Sequence, residues 1–350
     1  KILEVVFKLL YQINLKDCLV MSITKKILIT GGAGYIGSHV VEELVKKKHK
    51  VIILDNLKTG YRSLINKKVK FIKGDILNIK LIKKIINENN INTIFHFAGL
   101  IDVVESQKYK NRYYKNNVLG TLNLIKATKG SFVKNFIFSS SAGVYGNIKI
   151  AAKETMLAKP INYYALTKLK CELLIKKYSK MYTFNYAILR YFNVCGASHS
   201  GKIGIISKKN NSLFKILAKE SLKKKPVINI YGNKHNTRDG TCIRDFIHVS
   251  DLALIHLKAL DTLNKKKKSF LINCGYGKGT SVLEIANLFK KHINKLTKIN
   301  FLKPRKGEIS ISYSNIDKMK KIFKWKAKYN NIHLILKNVL KWEKSLILKK

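Results

Sequence analysis

The hydrophobic pattern of residues 26–45 changes from a continuous apolar run to a helical repeat. Ile27, Leu28 and Ile29 form a run that is apolar on both faces, and Thr30 opens a glycine-containing turn. Apolar residues then recur at helical spacing, at positions 36, 40, 41, 44 and 45. This order predicts a buried strand, a tight turn and a helix.

The turn carries glycines at every third position. Gly31 would allow the turn, Gly34 would let the backbone approach a pyrophosphate, and Gly37 would let helix and strand pack closely. Glycines also gather in turns for structural reasons, so their spacing alone is weak. The next apolar run, 51–54, ends in Asp55, whose carboxylate is placed for the ribose hydroxyls of NAD and would repel the extra phosphate of NADP. Together these features predict a dinucleotide site.

Strands and helices continue to alternate up to residue 190. The pattern predicts strands at 69–73, 92–98, 135–138 and 186–190, and helices at 77–88, 105–128 and 162–181. Repeats of this length predict an α/β fold, a Rossmann-type doubly wound parallel sheet that binds ligands at the carboxyl ends of its strands. Asp75 and Ile76 follow one such strand and would line an adenine pocket.

The second half of the chain is less regular. We expect helices at 212–224, 250–263 and 282–292, two further short helices, and short strands at 227–231, 244–248, 270–273 and 299–302. This predicts a smaller α/β domain over residues 191–350, partly interleaved with the first at 21–190, that holds the second substrate over the cofactor. Residues 1–20 lie upstream of Met21, and we interpret them as an extension that the fold does not need.

Composition limits the function classes. Among 350 residues the formal net charge is +49, but only six residues are Arg, and Lys is spread over every predicted helix and loop. Surfaces that read bases draw heavily on Arg, so we predict no specific nucleic-acid partner. A remaining Arg can instead mark a place that needs a planar guanidinium.

Neither a membrane span nor an oxidising compartment is predicted. No apolar run reaches the length that crosses a bilayer, and charges interrupt the apolar N-terminal run. The five cysteines are scattered and lack metal-ligand spacing. We therefore expect a cytoplasmic protein without a metal site.

The candidate catalytic pair is Tyr164 and Lys168. They lie four residues apart on a predicted helix and share one face. An ammonium held near a phenol favours the phenolate, so Tyr164 would act as a base beside a positive nicotinamide. Of the 17 tyrosines only one other, Tyr145, has Lys at this spacing, and it lies in a turn. Ser141 in the preceding serine turn would share the hydrogen bond to the reacting hydroxyl.

These residues resemble the extended short-chain dehydrogenase/reductase family, and most closely its UDP-glucose 4-epimerases (UDP-galactose 4-epimerases), from about Lys26 to Trp342. The matching stretches are TGGAGYIGSH (30–39), VIILDNL (51–57), HFAG (96–99), NNVLGTLNLI (116–125), FIFSSSAGVYG (136–146), Tyr164 to Lys168, LRYFNVCGA (189–197), DGTCIRDFIHVSDLA (239–253) and KPRKGE (303–308). The seventh and eighth stretches are the most specific. Related dehydratases carry an Asp-Glu pair where this chain has Ala142-Gly143, so the groups that would eliminate water are missing.

The resemblance implies inversion at C4 of UDP-glucose and UDP-galactose through a 4-keto sugar. Tyr164 would take the proton of the 4-hydroxyl while C4 passes its hydride to NAD, which returns it to the other face without a metal. It implies contacts to NAD by Gly31, Gly34, Tyr35, Ile36, Gly37, Asp55, Asn56, Asp75, Ile76, Phe97, Ala98, Gly99, Asn116, Lys168 and Phe192. It implies contacts to the UDP-sugar by Ser141, Tyr164, Asn193, Asn211, Tyr231, Arg244, Arg305, Glu308 and Ser312, and a homodimer through helices 105–128 and 162–181.

Three positions depart from the family pattern. Ile101 replaces a common Lys, Gly143 replaces Thr or Ala, and Ser312 stands where enzymes restricted to glucose and galactose have Tyr. We hypothesise that Ser312 leaves room for UDP-N-acetylglucosamine and UDP-N-acetylgalactosamine. The alternatives are another UDP-sugar 4-epimerase, acting on UDP-glucuronate or only on UDP-N-acetylglucosamine, and a non-catalytic basic binding protein on the same scaffold.

Overall fold

The computed structural model describes residues 25–206, 212–305 and 308–348. Residues 1–20 and Asn211 therefore lie outside the described residues. Seven parallel strands form one sheet in the order β11-β6-β5-β4-β1-β2-β3. Their bounds are Lys26–Thr30 (β1), Lys50–Asp55 (β2), Lys70–Lys73 (β3), Thr93–His96 (β4), Asn135–Ser141 (β5), Asn185–Tyr191 (β6) and Phe270–Cys274 (β11). The predicted doubly wound sheet is confirmed.

Helices cover both faces of this sheet and bury its continuous apolar strands. One face packs against α1 (Tyr35–Lys46), α8 (Val249–Lys266) and α10 (Asp317–Phe323), through side chains such as Leu44, Leu260 and Met319. The other face packs against α2 (Ile79–Glu88), α5 (Gly120–Ala127) and α6 (Tyr163–Met181), through Ile86, Leu124 and Ile175. The order of strand addition reverses between β1 and β4, because β2 and β3 lie on one side of β1 and β4 to β6 on the other. Such sheets bind ligands in the crevice at this point.

The predicted long helix at 105–128 is divided, so that prediction was wrong in detail. It consists of α3 (Val103–Lys108), α4 (Lys110–Tyr113), a π-helical segment (Tyr114–Leu119) and α5. Tyr109 leaves the helical conformation between the first two pieces. The side chain of Asn117 bonds both backbone polar groups of Leu100, at 2.8 and 3.0 Å, and lies within the π-helical segment. Such π-helical turns are frequent beside functional sites.

The second half forms small sheets around its own core. Strand β8 (Val227–Tyr231) pairs with β13 (Lys298–Leu302), β7 (Asn193–Cys195) pairs with β10 (Phe246–His248), and β9 (Ile243–Arg244) lies between β12 (Thr280–Ser281) and β14 (Ile311–Ser312). Helices α7 (Leu213–Glu220), α9 (Val282–His292) and α11 (Ile332–Ile347) pack around this core. Strands of two or three residues are too short for a periodic signal, and β7, β12 and β14 were not predicted.

The last part of the chain forms a long helix and also contributes to the large sheet. Helix α11 has 16 residues, whereas a short helix was predicted there. Strand β11 pairs with β6 in the large sheet, and helix α8 packs against that sheet. None of the helices within the described ranges is both long and apolar enough to cross a bilayer.

Candidate functional site

The glycine turn between β1 and α1 is held by close backbone contacts. Gly31 has φ +75°, and a Cβ added to it would lie 2.5 Å from the Ala98 nitrogen. A Cβ on Gly37 would lie 2.3 Å from the Gly31 oxygen, whereas one on Gly34 would meet only that oxygen, at 3.2 Å. No described side chain caps the N-terminus of α1. The first N–H groups of the helix, at Tyr35 and Ile36, therefore form a cradle that suits a pyrophosphate.

Asp55 lies at the end of β2 beside this turn. Its Oδ2 accepts a hydrogen bond from the Ala33 N–H at 3.0 Å, and its Oδ1 accepts one from the Leu57 N–H at 2.9 Å. Burial raises the pKa of Asp55, and the two N–H donors oppose that rise. The carboxylate is thus fixed next to the glycine turn.

Asp75 and Asn56 lie together on the neighbouring strand ends. Asn56 Nδ2 donates to Asp75 Oδ2 at 2.8 Å, and Lys58 Nζ lies 3.3 Å from the same oxygen. Burial raises the pKa of Asp75, but hydrogen bonds from Leu77, Asn56 and Lys58 outweigh it and lower the pKa overall. Ile76 is buried against Gly120, where a Cβ would lie 2.4 Å from the Ile76 side chain.

Asn117 is a buried residue beside the candidate site that the predicted site residues did not include. The predicted residue Asn116 is partly exposed and donates from Nδ2 to Asn117 Oδ1 at 3.0 Å. Asn117 is buried, and its Nδ2 also donates to Thr167 Oγ1 at 3.1 Å. It therefore ties the loop after β4 to the helix that carries Tyr164 and Lys168. Two adjacent Asn residues in the sequence give no signal of which side chain turns inward, because the π-helical turn changes which residues face the sheet.

A buried polar chain supports the same loop. Thr121 Oγ1 donates to the Asn117 oxygen at 2.6 Å and lies 2.8 Å from His96 Nε2. His96 Nδ1 lies 2.7 Å from Thr30 Oγ1. The Thr121 hydroxyl donates its proton to the Asn117 backbone oxygen, so it can only accept a hydrogen bond from His96. We therefore assign the ring proton of His96 to Nε2. Burial, with the nearby charge of Lys168, lowers the pKa of His96 to about 3, so the ring is neutral.

Tyr164 lies in the first turn of α6, facing the end of β5. Its phenol interacts with the Ser141 hydroxyl, and Ser141 Oγ accepts a hydrogen bond from the Gly143 N–H at 3.1 Å. Burial raises the pKa of Tyr164 to about 12, although the hydrogen bond with Ser141 lowers it. Without ligands the phenol is therefore protonated at neutral pH. A Cβ at Gly143 would lie 3.3 Å from both Ala165 and Ser141, so the turn is tightly filled.

Lys168 lies one helical turn further along α6 and is buried. Its Nζ donates to the backbone oxygen of Ser139 at 2.8 Å and lies 6.0 Å from the centre of the Tyr164 ring. Burial lowers the pKa of Lys168 to about 8. A Cβ at Gly99 would lie 3.5 Å from this ammonium, so the loop after β4 and the catalytic pair share one space. Phe97 and Ala98 precede Gly99 and donate their N–H groups to the Thr30 oxygen at 2.9 and 3.1 Å.

The predicted substrate residues of the second half lie on short strands and on the loop before β14. Arg244 on β9 is in register with Ser312 on β14, and its Nη2 lies 3.8 Å from Glu308 Oε1. The Arg305 guanidinium stacks 4.0 Å from the centre of the Tyr231 ring. The exposed residue Asn193 begins β7, and the buried residue Phe192 precedes it. Ile101, in the loop after β4, is 71% exposed.

Two of the six arginines, Arg190 and Arg238, use the planar guanidinium to bind a carboxylate of this chain rather than a ligand. Arg190 binds both carboxylate oxygens of the buried Glu172, at 2.9 and 2.6 Å. Arg238 binds both oxygens of Glu284, at 2.9 and 2.5 Å. Arg244 and Arg305 make no such carboxylate fork among the described residues. Arg244 Nη1 donates to the backbone oxygens of Ile243 and Ser310, at 2.9 and 3.2 Å, and Arg305 stacks on Tyr231.

The sequence of a known family matches most of the chain. A model of the NAD dependent epimerase/dehydratase family matches residues 27–275. The UDP-glucose 4-epimerase of Pasteurella multocida (strain Pm70) is 39% identical over 331 residues, which cover 91% of this chain and 97% of that protein.

Solved structures of similar proteins have the same fold. The UDP-glucose-4-epimerase of Stenotrophomonas maltophila, with bound NAD and formylated UDP-arabinopyranose, superposes with a TM-score of 0.88 at 31% identity, covering 93% of this chain and all of that one. The UDP-Glc/GlcNAc 4-epimerase of Campylobacter jejuni superposes with a TM-score of 0.79 at 38% identity, covering 92% and 99%. The chain therefore belongs to the NAD-dependent epimerase/dehydratase family, as the resemblance of its motifs to the UDP-glucose 4-epimerases predicted.

Proposed function

We propose that this protein is an isomerase that interconverts UDP-glucose and UDP-galactose by inversion at C4 through a 4-keto intermediate. The observation that carries the proposal is the meeting of Tyr164, Ser141 and Lys168 in one space beside Gly99 and the glycine turn. A phenol, a hydroxyl and an ammonium around one reacting hydroxyl suit oxidation of a secondary alcohol. The similarity to proteins named UDP-glucose 4-epimerase supports the choice of substrate.

The residues present fit NAD. The glycine turn leaves room that a Cβ would fill, the N-terminus of α1 faces it without a described side-chain cap, and Asp55 stands beside it. When bound, NAD supplies a hydride acceptor for C4 and a positive ring that favours the phenolate. Asn56, Asp75 and Ile76 would surround the adenine end, and Phe97, Asn116 and Phe192 the nicotinamide end.

Tyr164 moves the proton of the 4-hydroxyl in this proposal. Ser141 is held by the Gly143 N–H and shares the hydrogen bond to the substrate hydroxyl. The Lys168 ammonium lies 6.0 Å from the centre of the Tyr164 ring, and its positive charge would favour the phenolate. Return of the proton by Tyr164, as the hydride returns to the opposite face of the sugar, completes the inversion.

The nucleotide end would be bound by residues of the second half. Arg244 and Arg305 would clamp the diphosphate, because neither guanidinium is occupied by a described carboxylate fork. Glu308 would accept from the ribose, and Asn193 and Tyr231 would contact the uridine portion. Asn211 is proposed for the same end of the substrate, and it lies outside the described residues.

We extend the proposal to the N-acetylated sugars. Ser312 is partly buried and in register with Arg244, so its side chain lies on the same face of the small sheet as the proposed diphosphate contact. The similarity to a UDP-Glc/GlcNAc 4-epimerase supports this choice. We expect the wild type to epimerise UDP-N-acetylglucosamine and Ser312→Tyr to lose that activity while it keeps activity on UDP-glucose. Failure of the wild type to convert the acetylated sugar would contradict the extension.

The experiment that tests the main proposal uses purified full-length protein without added NAD. Incubation with UDP-galactose should give UDP-glucose, measured by separation of the two nucleotide sugars. A panel with UDP-glucuronate separates the rival epimerase from this proposal. Absence of any conversion, with no nucleotide cofactor released on denaturation, would favour a basic binding protein on the same scaffold.

Three organisational proposals accompany this function. We assign the NAD-binding domain to 21–190 and the UDP-sugar-binding domain to 191–350. We propose a cytoplasmic location, since the described cysteines 171, 195, 242 and 274 are buried as free thiols. We propose a homodimer, because the predicted pairing helices expose Tyr109, Leu119 and Leu173. Light scattering of the purified protein measures the last point.

A further inference from the structure

Three side chains with metal-ligand chemistry meet in the second half of the chain. His235, Cys242 and Glu308 each offer one ligand atom, and these atoms all lie within 4.8 Å of one another. They come from the loop after β8, the residue before β9 and the loop before β14. Because they are distant in sequence and without regular spacing, the sequence analysis did not predict a metal site.

The backbone around the cluster is held in place. The His235 N–H donates to the Gly240 oxygen at 2.9 Å, and the His235 oxygen accepts from the Thr237 N–H at 2.8 Å. The Cys242 oxygen accepts from the Val282 N–H at 3.0 Å, and the Glu308 N–H donates to the Arg305 oxygen at 3.2 Å. Each of the three residues therefore has a backbone group held by a hydrogen bond.

Two of the ligand groups carry buried atoms without a hydrogen bond. His235 Nε2 and Glu308 Oε2 are shielded from solvent and have no hydrogen-bond partner among the described residues, and Cys242 is 2% exposed. A buried polar atom without a hydrogen bond is destabilising, because it has lost its hydrogen bonds to water. Two of the three residues in the cluster thus carry an unpartnered buried atom, which a bound cation would explain.

The neighbouring charge does not close the site. Arg244 Nη2 lies 3.8 Å from Glu308 Oε1, which is longer than a hydrogen bond and involves the other carboxylate oxygen. The Cys242 thiol interacts with both the Arg244 guanidinium and the Glu308 carboxylate.

We propose that His235, Cys242 and Glu308 bind one divalent transition-metal ion of the zinc class. Imidazole nitrogen, thiolate sulfur and carboxylate oxygen are ligands that zinc accepts together. Tetrahedral ligands at about 2.0–2.3 Å from zinc lie roughly 3.3–3.8 Å apart, so side-chain shifts of about 1 Å close the site. Binding releases the Cys242 proton to solvent.

The metal would share Glu308 with the substrate. This second part rests on the proposed function, which assigns Glu308 to the ribose of UDP. An ion that holds Glu308 prevents that contact, so the metal and UDP compete. The site is then an inhibitory one and takes no part in hydride or proton transfer.

Cobalt(II) added to the full-length, chelator-treated protein under reducing conditions is the probe. We expect one equivalent to give a thiolate-to-cobalt absorption band, and Cys242→Ser and His235→Asn each to weaken binding by about tenfold or more. His333→Gln is the matched control, since exposed His333 lies 5.6 Å from the His292 ring in a second histidine pair, and it should keep the band. No band, or one that survives in both site variants, overturns the proposal.

Competition is measured separately by adding UDP to the cobalt-bound protein. A falling band supports shared use of Glu308. If calorimetry shows that UDP binds and the band is unchanged, the shared use is wrong. If UDP does not bind the metal-free protein at all, the failure belongs to the proposed function, because cobalt binding by the three side chains is measured without UDP.

Discussion

At the residue scale, the environment of Tyr164 depends on tertiary contacts that its spacing from Lys168 does not reveal. The spacing correctly brings ring and ammonium to one face of α6, 6.0 Å apart. It gives no information on burial, which raises the pKa of the phenol to about 12 and lowers that of Lys168 to about 8. The buried Asn117 was missed for the same reason. Sequence spacing thus identifies the groups, and the fold determines their protonation.

Removal of the phenol tests its role directly. We expect Tyr164→Phe to lower turnover by about 100- to 10,000-fold, the usual contribution of a positioned acid or base, with little change in UDP affinity. Tyr163→Phe is the matched control, because Tyr163 is the adjacent residue on α6 and is turned by about 100° around the helix. Equal activity of Tyr164→Phe and wild type in steady-state assays would refute the assignment.

Replacement of Lys168 should move the pH profile. The reaction needs the phenolate, so turnover rises with pH through the pKa of Tyr164 in the substrate complex. Lys168→Met removes a positive charge that favours the phenolate, so that pKa rises and the rising limb shifts to higher pH. Lys177→Met is the control, since exposed Lys177 lies 5.9 Å from the Tyr178 ring on the same helix. An unchanged limb in Lys168→Met would contradict this role.

At the element scale, the strand, turn and helix at 26–46 were predicted in full because their information is local. Apolar runs, turn glycines and the helical repeat all lie within twenty residues. The division of 103–127 was not predicted, since the departure at Tyr109 and the Asn117 contact to Leu100 depend on the loop after β4. The two- and three-residue strands that place Asn193 and Ser312 depend on pairing partners far along the chain.

Comparison of Gly31 with Gly130 distinguishes the cost of a left-handed backbone from the cost of a clash between an added Cβ and neighbouring atoms. Gly31 and Gly130 have nearly the same φ, +75° and +70°, but only Gly31 has atoms in the way of a Cβ. Gly130→Ala should cost about 1–2 kcal/mol of unfolding free energy from the left-handed conformation and leave NAD binding intact. Gly31→Ala should cost more and abolish NAD binding, because Ala98 must move. Equal losses of stability in urea titrations and equal NAD affinities would contradict this account.

At the scale of the whole molecule, four histidines are buried as neutral rings. Burial lowers the pKa of His39 and His256 to about 4 and that of His96 and His248 to about 3. Below pH 6.5 the unfolded chain binds protons that the folded chain does not, so the stability from these groups is complete above 6.5 and is lost as pH falls toward 3–4. The pKa values of these histidines are lowered because the sheet and helices bury their rings. The amino-acid composition does not show which histidines will be buried.

Acid sensitivity tests this origin. Each such histidine adds up to about 1.4 kcal/mol of lost stability per pH unit within that window. We expect His256→Gln to flatten the dependence of unfolding free energy on pH between 6.5 and 4.5 by one proton, measured in urea titrations. His333→Gln, at an exposed position, should leave the slope unchanged. Identical slopes in wild type and His256→Gln would be inconsistent with a buried neutral ring.

The most direct test of the central claim follows the hydrogen on C4. UDP-galactose carrying deuterium at C4 is incubated with the protein as purified, and the UDP-glucose formed is examined by mass spectrometry and NMR. Because the same hydride leaves C4 and returns to it, we predict that the product keeps the deuterium at C4. Product in which solvent hydrogen has replaced the label would contradict a reaction that proceeds by hydride transfer to bound NAD.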